Sequence, residues 1–395
     1  MKQGWTYKQL KDVTNKISDG SHNPPKGIAY SEYPMLSSKN ILFDDFNYDS
    51  PRYLSKEDFD IENKRTYISD GDVLLTIVGT VGRTCCVQNP FIPFTLQRSV
   101  AVLKPKKEIL ISRFLMYALY SLSDLWENEA KGAAQKGVYL KQLATVSIPT
   151  PPISEQERIV ERLDAAFAQI DELKSNAERQ LAEARALFQS ALTQDMQPKP
   201  GWQEKTLGEI ATDMYRGSGI RRDQITKEGI PCVRYGEIYT TYNISFEDCV
   251  SHTLESSIAS PKYFEHGDLL FAITGESVED IGKTIAYMGK KKCLLGGDII
   301  CMKHNQNPKF LSYALSTTDA IKQKGFGKTK LKVVHTNAPS LKAIRIPLPP
   351  LSEQQGIVEQ LDSFSTNISS LEEINQKIKP ECDALKQALL RQIFE

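Results

Sequence analysis

Apolar residues recur every three or four positions through two long stretches of the chain, and those stretches organise the rest. In the first they fall at Ile159, Leu163, Ala166, Ile170, Leu173, Ala177, Leu181, Ala184, Leu187 and Ala191. In the second they fall at Ile357, Leu361, Phe364, Ile368, Leu371, Ile374, Ile378, Cys382, Leu385 and Leu389. This spacing predicts two amphipathic helices with a coiled-coil-like seam, for which Ile159, Leu163, Ile170, Leu173, Ile357, Leu361, Ile368 and Leu371 are the expected seam residues. Each is preceded by Pro-Pro and a Ser-Glu-Gln run, Ser154-Glu155-Gln156-Glu157 and Ser352-Glu353-Gln354-Gln355, which fits a capping box. The first helix should stop near Met196, ahead of Pro198-Lys199-Pro200-Gly201, and Pro380 should kink the second. A helix of this length is roughly 60 Å long and needs a partner for its seam. The simplest solution packs the two against each other, antiparallel.

Outside the helices the pattern switches to short apolar runs bounded by Gly, Asn and Pro. Asp72–Val78 and Ser99–Leu103 read as strands, and so do Asp268–Thr274 and Asp298–Met302. Helices are predicted over Ser112–Ser121 and Pro308–Ser316. With no strand–helix–strand rhythm, the fold class is α+β.

The two halves repeat at a shift of about 197 residues. Ile148-Pro149-Thr150-Pro151-Pro152-Ile153-Ser154-Glu155-Gln156 returns as Ile346-Pro347-Leu348-Pro349-Pro350-Leu351-Ser352-Glu353-Gln354. Gly4-Trp5 returns as Gly201-Trp202, and Gly71-Asp72-Val73-Leu74 as Gly267-Asp268-Leu269-Leu270. A period this long matches one globular domain plus one long helix. The expected organisation is a lobe at 1–148, a helical segment at 149–200, a second lobe at 201–347 and a second helical segment at 348–395, related by an internal pseudo-twofold. Trp5 and Trp202 should be core anchors.

Composition narrows the class. The chain of 395 residues is 40% hydrophobic and 25% charged, as in a globular protein of two or more domains. No apolar run approaches a membrane span and Met1-Lys2-Gln3-Gly4-Trp5 does not read as a secretory signal, so a cytoplasmic location is expected. Seven scattered cysteines without a CxxC pair argue against a disulfide framework or a zinc site. Net charge is zero but unevenly spread: of 49 basic and 49 acidic residues, 149–200 holds 6 and 9 and 348–395 holds 4 and 8. The two lobes therefore keep 39 basic against 32 acidic residues, a balance suited to phosphate contact at two places.

Catalytic signatures are missing. There is no GxxxxGK[ST] loop, HExxH helix or GxSxG elbow, and the five histidines show no ligand spacing. Asn23-Pro24-Pro25-Lys26 is similar to the [Asn/Asp]-Pro-Pro-[Tyr/Phe] loop of adenine methyltransferases, but Lys26 replaces the aromatic and no FxGxG strand end accompanies it. Gly79-Thr80-Val81-Gly82-Arg83 reads as a turn between strands able to offer backbone to a phosphate. The copies keep their strand framework and change their polar tips, Ser18–Pro25 against Met214–Arg222 above all. If the lobes read DNA, the two would read different sequences. Competing readings are a non-DNA coiled-coil scaffold, expected to show no salt-sensitive DNA binding, and a stand-alone methyltransferase, expected to bind S-adenosylmethionine alone.

Taken together, the paired Ile-Pro-x-Pro-Pro-[Ile/Leu]-Ser-Glu-Gln motifs, with Arg158-Ile159-Val160 and Gly356-Ile357-Val358 after them, resemble the specificity (S) subunits of Type I restriction–modification enzymes. The two Gly-Trp openings and Ile17-Ser18-Asp19-Gly20-Ser21-His22 add to the resemblance, which covers the whole chain. It implies two target-recognition domains on long helices that act as a ruler, a bipartite asymmetric site in double-stranded DNA, and no catalysis in this subunit. It also implies two modification subunits, which bind S-adenosylmethionine and methylate adenine, and motor-nuclease restriction subunits. No cofactor or metal is expected in this chain. Expected DNA contacts in the first lobe are Ser21, His22, Asn23, Lys26, Lys39, Asn40, Thr80, Arg83, Gln97, Arg98, Gln135 and Lys136, with Arg98 alternatively a buried ion-pair partner. In the second they are Arg216, Ser218, Arg221, Arg222, Arg234, Tyr235, Thr274, Lys283, Lys328 and Lys330. Gln and Asn bridge adenine N6/N7, and Arg bridges guanine O6/N7.

Overall fold

The structure is a computed structural model describing residues 4–126, 137–278, 280–327 and 334–394. Two compact units make up the chain, Met1–Ala177 with Gln376–Glu395, and Glu178–Asn375.

In the first unit, strand Thr6–Gln9 pairs antiparallel with Ser147–Thr150, so the Gly-Trp opening and the Ile-Pro run meet. Between them a four-stranded antiparallel sheet runs in the order Thr14–Asp19, Val100–Pro105, Val73–Thr76, Thr84–Cys86. Alternate side chains of a strand face opposite ways. Val73, Leu75, Ala101 and Leu103 accordingly enter one core with the helix Ser112–Ser121 and with Ile159, Leu163, Phe167, Leu390, Ile393 and Phe394 of the long helices. Leu74, Val100 and Val102 enter another core, shared with a small sheet of Arg52–Tyr53, Pro34–Leu36 and Thr95–Leu96.

The second unit repeats this plan. Gln203–Thr206 pairs with Arg345–Leu348. The sheet Ala211–Arg216, Ile299–His304, Leu269–Ala272, Thr284–Tyr287 has the same order, extended by a parallel edge strand Ser245–Phe246. Its other face meets a five-stranded sheet that includes Ile230–Val233 and Cys293–Leu295. Helix Pro308–Ala314 takes the place of Ser112–Ser121.

The long helices run over Ile153–Asp195 and Leu351–Phe394, the second continuing through Pro380. In each unit their segments lie antiparallel. Asp171 meets Lys386 at 2.6 Å in the first, while the earlier Leu163 shares a core with the later Leu390. In the second, Arg185 meets Glu372 at 2.6 Å, while Leu192 shares a core with Leu361.

Two expectations need correction. The Ser residues do not cap the helices: the amides of Glu155 and Gln156 donate to Pro152 O, and those of Glu353 and Gln354 to Pro350 O, so each helix starts one residue before its Ser. The doubled Gln is instead a fully buried clamp. Gln156 Nε2 donates to Ile109 O (2.9 Å) and Pro151 O (2.8 Å), and its Oε1 accepts from the Ile111 amide (2.9 Å). Gln354 does the same for Pro349 O (2.9 Å) and the Asn307 amide (3.0 Å). This ties each helix start to the loop before the lobe helix.

Secondly, Leu173 is 56% exposed, outside the seam, whereas Ile159, Leu163, Ile170, Ile357 and Leu361 are buried and Ile368 and Leu371 half-buried. Ile159, Ile170, Leu181 and Leu192, all buried, are spaced by 11 residues. Eleven residues make almost a whole number of α-helical turns, whereas heptad positions such as 173 and 187 drift by ~20° per repeat on a straight helix.

Candidate nucleic-acid interface

In both units the chain leaves the first sheet strand through the same tight corner. Thr14–Asp19 is followed by Gly20, whose Cβ would lie 2.1 Å from Leu96 O, and Ser21, whose amide donates to Leu96 O at 2.7 Å. Ala211–Arg216 is followed by Gly217, whose Cβ would lie 2.1 Å from Gly296 O, and Ser218, whose amide donates to Leu295 O at 3.0 Å. Only glycine allows so close a backbone approach. The corner fixes where Asp19 and Arg216, equivalent residues of the repeat, present their side chains.

A basic cleft opens at each corner. In the first unit it has a volume of about 880 Å³ and is lined by Asp19, His22, Arg65, Arg98, Tyr139 and Lys141 among others. In the second it has about 650 Å³ and is lined by Arg221, Arg222, Arg234, Tyr235, Gly297 and Asp298 among others. Each combines several cations with an exposed tyrosine, Tyr139 (54%) or Tyr235 (40%). Cations that track phosphates beside a ring able to stack are the components of a nucleic-acid surface.

At the first corner the buried Asp19 organises its neighbours. Its Oδ2 lies 2.7 Å from His22 Nε2, its Oδ1 accepts from Arg65 Nη2, and its carbonyl accepts from Arg65 Nε at 2.9 Å. At the second, Arg216 Nη2 donates to Asp298 Oδ1 at 2.7 Å and Nε to Gly297 O.

The expected contact residues divide by placement. His22 and Arg98 line the first cleft, where exposed Arg98 is no buried ion-pair partner; Arg221, Arg222, Arg234 and Tyr235 line the second. Asn23, Lys26 and Thr80 are exposed on loops, Lys39 is exposed on the short 3-10 helix Ser38–Asn40 with its Nζ on Ser50 O at 2.6 Å, and Gln97 is half-buried. Other side chains are spent inside the fold. Ser21 is buried at the corner, and Asn40 is 1% exposed, donating to Asp49 O (3.0 Å) and accepting from the Ser37 amide (3.1 Å). Arg83 reaches Ile41 O at 3.3 Å, Ser218 Oγ donates to Ser260 O, and Thr274 Oγ1 sits 3.2 Å from His335 Nδ1. Arg234, at the second cleft, is itself held on buried Glu237, with Nε at 3.0 Å and Nη2 at 2.9 Å from Oε1. Lys283 Nζ donates to Tyr242 O at 3.0 Å, and burial lowers its pKa. Gln135, Lys136, Lys328 and Lys330 lie outside the described residues.

Sequence reasoning missed Arg65, Tyr139 and Lys141. Arg65 ends the polar helix Lys56–Thr66, where nothing in the pattern separates it from a solvated residue. Among the described residues no group of His, Cys, Asp and Glu side chains has the arrangement of a metal site, and no helix is long and apolar enough to cross a membrane. Trp5 and Trp202 pack half-buried against their cores, Trp202 also donating from Nε1 to Glu353 at 2.8 Å.

Comparison with known proteins places the repeat in context. Residues 2–183 and 199–380 each match the family model of the Type I restriction modification DNA specificity domain. The chain is 21% identical to the Type I restriction enzyme EcoKI specificity subunit of Escherichia coli (strain K12), over 99% of this chain and 89% of that protein. It is 35% identical to the EcoBI specificity subunit of Escherichia coli over 36% of this chain, a match spanning 30% of that relative. Its fold is similar to a chain in a structure addressing complex assembly and conformational transition of the type I R-M system (TM-score 0.71, 19% identity, 99% and 98% of the two chains covered). It is also similar to the HsdS subunit from Thermoanaerobacter tengcongensis (TM-score 0.59, 19% identity, 100% and 97% covered).

Proposed function

Because this chain belongs to the Type I restriction modification DNA specificity family, as a non-catalytic DNA-recognition subunit, we propose that its two lobes each read one half of a bipartite, asymmetric duplex site. The observation that carries this reading is the glycine corner repeated in both lobes, each copy beside a basic cleft built from different segments and side chains. A shared backbone gives both lobes one docking mode, and different side chains give each its own sequence. The subunit would assemble with two modification subunits, which bind S-adenosylmethionine and methylate adenine, and with motor-nuclease restriction subunits. The four segments at 1–148, 149–200, 201–347 and 348–395 would serve as first reader, spacer, second reader and second spacer. The helices would act as a ruler, so that helix length sets the number of unread base pairs between half-sites.

The test is methylome sequencing of cells expressing the chain with its modification partner. A bipartite adenine-methylated motif is expected. Lengthening Glu155–Met196 by four residues adds about 6 Å of helix and should widen the unread spacer by one or two base pairs. An unchanged spacer would refute the ruler, and failure to find any bipartite motif would refute the reading itself.

A further inference from the structure

Both corners present an arginine held by the same edge, although the residues that build the arrangement are not equivalent. In the first unit Arg65 comes from the helix Lys56–Thr66 and donates Nε–H to Asp19 O (2.9 Å) and Nη2–H to Asp19 Oδ1. In the second unit Arg216 stands at Asp19's own position in the repeat, donating Nε–H to Gly297 O and Nη2–H to Asp298 Oδ1 (2.7 Å). The charge at that backbone position is inverted between the copies, yet each guanidinium meets one carbonyl and one carboxylate through Nε and Nη2.

A guanidinium carries five N–H groups in a rigid plane. Taking the Nε–Nη2 edge leaves the terminal Nη1–Nη2 pair facing outward. Among the described residues nothing else takes that end of either arginine, and the side chains are 49% (Arg65) and 62% (Arg216) exposed. Asp19 and Arg65 line the first cleft, and both acceptors of Arg216 line the second. A carboxylate that fixes the fork removes the rotamer freedom an arginine would lose on binding. Two parallel N–H donors match guanine O6 and N7 in the major groove, a pattern no other base presents. A phosphate needs only charge, which Lys141 or Arg222 would supply.

Resting on the DNA-reading role argued above, we propose that Arg65 and Arg216 are the guanine-reading residues of the two lobes, with Asp19 and Asp298 as their positioning residues. Each half-site then contains at least one G·C pair, read by one arginine.

The experiment uses the full chain in complex with its modification partner, first to define the wild-type motif and then to measure binding to duplexes substituted at each G·C pair. Arg65→Lys and Arg216→Lys retain the charge and lose the fork. Each should cut discrimination at one G·C position of one half-site by roughly 5- to 150-fold, the range of a bidentate contact, leaving the other half-site unchanged. Asp19→Asn and Asp298→Asn should relax the same two positions as the corresponding lysine variants. A wild-type half-site without any G·C pair would overturn the proposal. So would lysine variants that keep full discrimination, or that weaken all sequences evenly, as a phosphate contact predicts. Absence of a bipartite motif for the wild type would count against the DNA-reading role itself.

Discussion

Lys324 is 5% exposed, and among the described residues its ammonium has no carboxylate partner. Its Nζ donates to Leu315 O at 2.7 Å and Thr284 Oγ1 at 3.0 Å, and its aliphatic stem packs beneath Gly282. Burial drives its pKa from 10.5 down to about 7. The folded unit therefore releases a proton that the unfolded chain keeps between these values, and stability should rise with pH across that interval. Below pH 7 both states carry the charge and the burial cost is felt in full, of the order of 5 kcal/mol at about 1.4 kcal/mol per pH unit. Lys324→Met preserves the stem and removes the charge. Losing two hydrogen bonds worth about 1 kcal/mol each leaves a net gain of about 2–3 kcal/mol at pH 6.5. That gain should shrink by about 2 kcal/mol by pH 8.5 as the wild-type lysine is relieved of its proton. Amide hydrogen exchange of the full-length chain would measure it on strand Ile299–His304, with Val100–Pro105 of the other unit as internal reference. A gain that stays constant between the two pH values, or a methionine variant less stable at pH 6.5, would refute the reasoning.

Two further outcomes follow from buried polar geometry. Gln354→Leu keeps the volume but leaves the Asn307 amide and Pro349 O without partners, so destabilisation of about 2–5 kcal/mol is expected in urea unfolding. Exposed Gln355→Leu should stay within about 0.5 kcal/mol. Gly20→Ala and Gly217→Ala drive a methyl to 2.1 Å from a carbonyl oxygen, whereas Gly219→Ala meets nothing within 4 Å. The first two should therefore abolish methylation at the wild-type motif by the assembled complex, and the third should leave it intact; wild-type methylation by Gly20→Ala would sink the corner argument.

The duplication, the two long helices, the α+β lobes and two central sheet strands in each lobe were legible along the chain, because each rests on periodicity, which is local information. Val73, Leu75 and Leu74 alternate in the sequence as they alternate between two cores. What the chain hid was the use of individual polar groups. Gln156 and Gln354 read as parts of a cap and are buried clamps, because the loop groups they tie to the helix start are 45 to 47 residues away. Leu173 fits a heptad and faces water, since a straight helix follows an 11-residue stripe more closely than a seven-residue one. Arg65 looked like any helix-surface arginine until the fold brought it across 46 residues to Asp19. Hydrophobic pattern sets which elements form and which faces they bury. Only the assembled lobe decides which hydrogen-bonding groups remain to be satisfied, and therefore which side chains are left free to meet a ligand.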